Sequence, residues 1–120
     1  MKESFGHFIR KKRKELGWNQ TQLAFQLNID AAKLSKIENG IFSLREDRLQ
    51  EISKMFEMNY DEIKELFFAD EIAKTIYKNE CTAKTLKLAD EILTYYKSVN
   101  RNINNYYLKA ISFLPSKIKE

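Results

Sequence analysis

Covalent or metal chemistry would need histidine, cysteine or a serine set beside an acid and a base, and this chain holds little of it. His7 and Cys81 are its only histidine and its only cysteine. No glycine-rich phosphate loop and no Ser/His/Asp arrangement accompanies them. A lone cysteine cannot close an internal disulfide, and with one histidine it falls short of the ligand set that structural zinc takes. Neither an enzyme nor a bound metal or cofactor is expected. Cys81 reads as a small, partly buried apolar residue, and His7, beside Phe8, as a surface or half-buried side chain. The chemistry on offer is ionic. Arg10-Lys11-Lys12-Arg13-Lys14 is an unbroken basic run, and the net charge is +4 in residues 1–40, −4 in 41–80 and +4 in 81–120. That pattern suits a protein with one face for phosphates while another stays neutral or acidic. Taken alone, a basic run is most simply a solvated helix face; its position directly before residues 19–40 reverses that reading.

The elements that would position these charges are helical. Glycine and proline are scarce at three and one in 120 residues, and the apolar spacing is that of amphipathic helices. Residues 19–40 read as two short helices joined by a tight turn. Asn19 suits the N-cap of the first, Gln20 to Leu27, and Asp30 that of the second, Ala31 to Asn39, while Gly40 accommodates the left-handed backbone that ends it. Leu23, Ala24 and Leu27 form one apolar stripe and Leu34 and Ile37 another, with Ile29 wedged in the turn to lock a steep crossing. This is the pattern of a helix-turn-helix.

A first helix should precede the pair, capped by Ser4, ending at Leu16 and stopped by Gly17. Phe5, Phe8, Ile9, Lys12, Arg13 and Leu16 trace its inward side, leaving Arg10, Lys11 and Lys14 largely solvated. Arg13 among apolar positions must find a carboxylate, because an unpaired buried charge is costly. Ser43 with Glu46 reads as a capping box for a fourth helix, with Leu49, Ile52, Met55 and Phe56 inward. Asn59 with Glu62 repeats the signature for a fifth, with Ile63, Leu66 and Phe67 inward. Phe8 and Trp18 belong to the core and its edge.

Residues 5–68 resemble the lambda-repressor-like helix-turn-helix family of Cro, phage-repressor and xenobiotic-response-element type. The resemblance is carried by Phe5-Gly6, Ile9 to Arg13, Leu16-Gly17, Asn19-Gln20, Leu23-Ala24, Ser35 to Gly40, Leu49, Ile52, Phe56 and Leu66. It implies an all-α, five-helix DNA-binding domain over residues 1–69. It also implies that the third helix enters the major groove with Ala31, Ala32, Ser35 and Lys36 toward base edges and Lys33 beside them. The matching phosphate positions are Gln20 and Asn39; Thr21, Gln22, Arg10, Lys11 and Lys14 are added from their placement and charge. The arginine matching Arg13 pairs with the glutamate matching Glu38, a structural ion pair. Ala31 and Ala32 depart from the polar side chains frequent there: an alanine cannot hydrogen-bond a base, but its methyl can pack on that of thymine. Sparse direct readout is the consequence.

Beyond the family domain, residues 70–120 read as a helical extension of two to three helices. Ile72, Ile76 and Tyr77 suggest a short sixth helix, Asn79 to Thr82 a break with Thr82 as a cap, and residues 83–98 a seventh helix with Leu86, Ala89, Ile92, Leu93 and Tyr96 on one stripe. Ile103, Tyr106, Tyr107, Ala110, Ile111 and Leu114 keep helical spacing until Pro115. These stripes must pack back on the domain or meet a second subunit, and a dimerisation element is expected. No apolar run approaches the roughly 20 residues of a membrane span, so a cytoplasmic protein is expected. The favoured function is a sequence-specific transcriptional regulator, a repressor or restriction-modification controller, binding a palindromic operator in double-stranded DNA as a homodimer. A protein-interaction module on the same fold, such as an antitoxin, is the alternative.

Overall fold

A computed structural model describes the backbone of residues 3–111 and the side chains of residues 3–99. The described residues form α1 (Phe5–Glu15), α2 (Gln20–Gln26), α3 (Ala31–Glu38), a 3-10 turn (Glu46–Arg48), α4 (Leu49–Met55), α5 (Tyr60–Lys78) and α6 (Ala83–Ile111). They divide into two compact units, the first ending at Lys78 and the second beginning at Asn79.

Within the first unit, helix starts follow side-chain chemistry. Ser4 accepts from the His7 amide at 3.1 Å, Asn19 and Gln22 exchange bonds at 2.8 Å each, and Asp30 accepts from the Lys33 amide at 2.6 Å. Asn59 accepts from the Asp61 amide at 2.8 Å and the Glu62 amide at 3.3 Å. Each satisfies an amide that the first turn leaves without a helical partner. The ends of α1 to α4 share one device, in which two successive amides turn back to carbonyls of the last turn across a left-handed residue. That residue is Gly17, Asn28, Gly40 and Glu57 in turn, with φ of +74°, +55°, +77° and +52°. Glycine takes this backbone freely and asparagine with little strain, whereas Glu57 is held there by the structure around it.

The core is made by Phe5 and Ile9 of α1, Leu23, Ala24 and Leu27 at α2, Leu34 and Ile37 of α3, Leu44, Leu49, Ile52 and Phe56 around α4, and Ile63 and Phe67 of α5. Phe8, Trp18, Ile29 and Leu66 pack at its edge. Phe5 sets its ring edge-on to Phe67 at 5.3 Å, and Phe8 to Phe56 at 6.3 Å, so α1 is clamped to the second half of the domain. Gly6 allows a closer approach: a β-carbon there would run into the carbonyl oxygens of Ile37 and Glu38. The backbone of α1 therefore rests directly on the end of α3.

Several expectations are corrected. Leu16, the C-cap of α1, is 43% exposed and does not join the core. The Ser43–Glu46 box does not form. Glu46 opens a 3-10 turn, α4 starts only at Leu49 without a side-chain cap, and the Ser43 hydroxyl donates to Glu71 at 2.6 Å. The fifth and sixth helices are one helix, α5, so the expected domain boundary at 69/70 falls inside it; Ile72 and Tyr77 are 57% and 89% exposed. The stretch 83–98 runs on without a break to Ile111, so among the described residues it and the following segment are one helix, α6. Asn79 to Thr82 does break the chain, with Glu80 at φ +53° and Cys81 half-buried. Ile103, Tyr106, Tyr107, Ala110 and Ile111 lie on the α6 backbone with their side chains outside the described residues; Leu114 and Pro115 lie outside them altogether. No described helix is long and apolar enough to cross a membrane.

Candidate nucleic-acid interface

The two faces of α3 differ sharply. Leu34, Ile37 and Glu38 are buried toward α1 and α2, while Ala32, Lys33, Lys36 and Asn39 are exposed and Ser35 is half-buried. Ala31, in the first turn, is half-buried against the core, which leaves Ala32 as the more open of the two methyls. The Lys36 ammonium sits over the Phe42 ring, 5.1 Å from its centroid. Phe42 carries no signal of its own in the sequence, because the contact is made only once Gly40 turns the chain back past α3.

Behind this face, Glu38 ties three helices together. Its carboxylate, wholly removed from solvent, accepts from Arg13 Nε at 2.7 Å and a second Arg13 nitrogen at 3.1 Å, from Gln20 at 3.0 Å and from Arg10 at 3.4 Å. Arg13 donates in addition to the Trp18 carbonyl at 2.9 Å. Burial by itself raises the Glu38 carboxyl, but the hydrogen bonds from Arg13 and Gln20, the Arg13 charge and the Arg10 bond outweigh it and hold the group below the usual carboxylate range. Among the described residues no buried side-chain polar atom lacks a hydrogen-bond partner. The Arg13–Glu38 pair sits inside a larger network that also takes in Gln20 and Arg10.

That network withdraws some residues from the surface. Arg10 is not a free, solvated cation: besides Glu38 it donates to the Asn39 side chain at 2.5 Å, leaving its side chain 30% exposed. The reason is geometric, since the close approach at Gly6 sets Arg10, one turn further along α1, beside the end of α3. Gln20 spends its amide nitrogen on Glu38, and Gln22 is used in capping α2. Thr21, Lys11 and Lys14 remain exposed. Asn39, itself exposed, accepts through its oxygen and keeps its amide nitrogen as a donor. The structure therefore brings Ala32, Lys33, Ser35, Lys36 and Asn39 onto one outward surface of α3 and sets Arg10 and Gln20 behind it as supports.

His7 lies exposed beside Glu3 at 3.4 Å, and the described residues contain no cluster of His, Cys, Asp and Glu that could hold a metal ion. No curated protein and no solved structure matches the chain. The family described as helix-turn-helix matches residues 9–63, the stretch that runs from Ile9 through the α2–α3 pair to Ile63 of α5. With α3 presented on a capped, close-packed five-helix frame, residues 9–63 match the Cro-type, lambda-repressor-like helix-turn-helix family of DNA-binding regulators.

Proposed function

We propose that the protein is a sequence-specific transcriptional regulator, of repressor or restriction-modification controller type, that binds a palindromic site in double-stranded DNA as a homodimer. The observation that carries this reading is the outward face of α3, polar and cationic over a fully buried opposite face. A B-DNA major groove admits one helix of this width. In that pose Lys36 donates to guanine O6 and N7, Ser35 reaches a base edge or a phosphate, and Ala32, with the edge of Ala31, selects the thymine methyl. Lys36 gives up the Phe42 ring to do so, at a cost of about 0.5–1 kcal/mol.

Phosphates supply most of the affinity. Lys33, Asn39 and Thr21 are placed for them, and Lys11 and Lys14 add longer-range attraction. Arg10 and Gln20 act through Glu38 and Asn39 by fixing the α3 surface. With about six phosphates neutralised per bound unit, log K falls against log salt with a slope near −5. A single domain reads too few base pairs for useful selectivity, which is why two copies on paired half-sites are proposed.

Selection of bound duplexes from a random library at moderate salt tests the reading. The expected result is a motif with two half-sites about 10 base pairs apart, centre to centre. Recovery of no motif, with binding that disappears as salt rises, would leave only phosphate attraction and move the assignment to a protein-interaction module.

A further inference from the structure

Every described residue from Thr82 to Ser98 is exposed, yet this part of α6 has a continuous apolar face. Leu86, Ile92, Leu93 and Tyr96 are 51%, 50%, 47% and 58% exposed. Leu86, Ala89, Leu93 and Tyr96 follow each other at steps of three, four and three residues, and the same spacing runs on in the sequence at Asn100, Ile103, Tyr107 and Ala110. A strict seven-residue repeat is a seam for another helix, running along an element about 43 Å long at 1.5 Å per residue. A lone helix with such a seam gains little of the tertiary packing on which most helices depend.

Charge selects the occupant. Asp90 and Lys97 stand at equivalent places in the repeat, both just after the seam on its same side, and neither makes an ion pair within the described residues. In an antiparallel pair of identical helices that side of one meets the same side of the other. With Leu93 opposite the partner's Tyr96, Asp90 falls opposite the partner's Lys97 and Lys97 opposite the partner's Asp90. On the other flank Ile92 meets the partner's Val99. A parallel, in-register pair would instead set Asp90 beside the partner's Thr85 and Lys97 beside the partner's Ile92, matching no charge. We infer that α6 pairs antiparallel with α6 of a second copy of this chain, centred on Leu93 and Tyr96 and clamped by two Asp90–Lys97 ion pairs. The inference rests on the homodimer reading above and gives that dimer its element and orientation.

Sedimentation equilibrium on the full chain tests it. Asp90→Lys and Lys97→Asp should each weaken dimerisation about tenfold, through two like-charge contacts per dimer, and the double exchange should restore it to within about threefold. Both substituted positions are exposed in the single chain, so helix content by circular dichroism should not change. Orientation has its own readout in a Cys81→Ser background. Oxidising a mixture of Asp90→Cys and Lys97→Cys chains should give the mixed disulfide in preference to either self-disulfide. A monomeric parent, which would mean α6 packs within its own chain, overturns the pairing, as does failure of the double exchange to rescue or dominance of the self-disulfides. A palindromic motif with any of those results would leave the DNA reading standing. Loss of the motif with rescue intact would sink the DNA reading and keep the pairing.

Discussion

The first unit and α6 carry the same sequence signature and meet opposite fates. In α1 to α4 and the start of α5, the apolar stripes at steps of three and four are buried, down to 0% exposure at Leu23, Leu34, Leu49 and Ile63. In α6 the same spacing leaves Leu86, Ile92, Leu93 and Tyr96 about half exposed. Periodicity states that a face needs a partner, and it does not name one. In the first unit the partner is named by short turns, caps and a buried charge network that leave only one way to close. In α6, 29 residues run without a turn to fold them back on themselves.

The contrast is sharpest for charge, and the largest expected effect lies there. Glu38→Ala removes the carboxylate that Arg13, Gln20 and Arg10 share, leaving Arg13 buried and unpaired, and should cost about 3–5 kcal/mol of domain stability in denaturant titration. Asp90→Ala on α6 should shift the same transition by less than about 0.5 kcal/mol. Comparable losses at the two positions would mean that α6 is integral to the domain's folding. The pH dependence comes from the same group. Its carboxyl is held below its ordinary value of 4.5, so its stabilisation is fully present above about that pH and is lost as pH falls through the lowered folded value. Glu38→Gln should therefore start less stable at neutral pH and lose less on acidification; an unchanged acid slope would place the acid sensitivity elsewhere.

Next in size is Gly6→Ala. The added methyl meets two backbone oxygens at the end of α3, which no side-chain rotation can relieve. Overpacking of this kind costs about 1–3 kcal/mol. Because Arg10, Glu38 and Asn39 are set by that approach, DNA affinity should fall together with stability. Lys36→Ala should separate the two. It should cost stability no more than the Phe42 ring contact, about 0.5–1 kcal/mol, but weaken the cognate site by about 1–3 kcal/mol and relax preference at one base pair. Loss that is uniform across sequences would reassign Lys36 to a phosphate.

The same division separates what the sequence discloses from what it hides. Ser4, Asn19, Asp30 and Asn59 are readable as helix starts because a cap is a bond between residues two or three apart. Gly17 and Gly40 are readable as ends because left-handed backbone favours glycine. The Arg13–Glu38 pair comes from the family resemblance and from the buried setting of Arg13, not from spacing. Arg10 on Asn39, Ser43 on Glu71 and Lys36 over Phe42 join residues that only the packed fold brings together, so neither periodicity nor capping rules reach them. The uninterrupted lengths of α5 and α6 are hidden for a different reason. A helix with exposed apolar residues, such as Ile72 and Tyr77, looks in sequence like a new element seeking its own partner.

The smallest effect tests the comparison at its joints. Glu57 and Glu80 take nearly the same left-handed backbone, at φ +52° and +53°, one inside the first unit and one in the turn after it. At Glu57 the strain is imposed by packing on both sides: the Glu57 and Met58 amides return to Lys54 and Ser53, and α5 begins at once with Ile63 in the core. Replacing it with glycine removes a steric penalty of about 1–2 kcal/mol and adds flexibility to the unfolded chain worth about half of that, so Glu57→Gly should raise domain stability by about 0.5–1 kcal/mol. Glu80→Gly relieves the same local strain, but no buried helix start comes after it. Its effect on the domain transition should therefore be near zero. If both substitutions stabilise the domain equally, the turn at Glu80 folds with the first unit, and the division between a closed domain and an open helix lies further along the chain than Lys78.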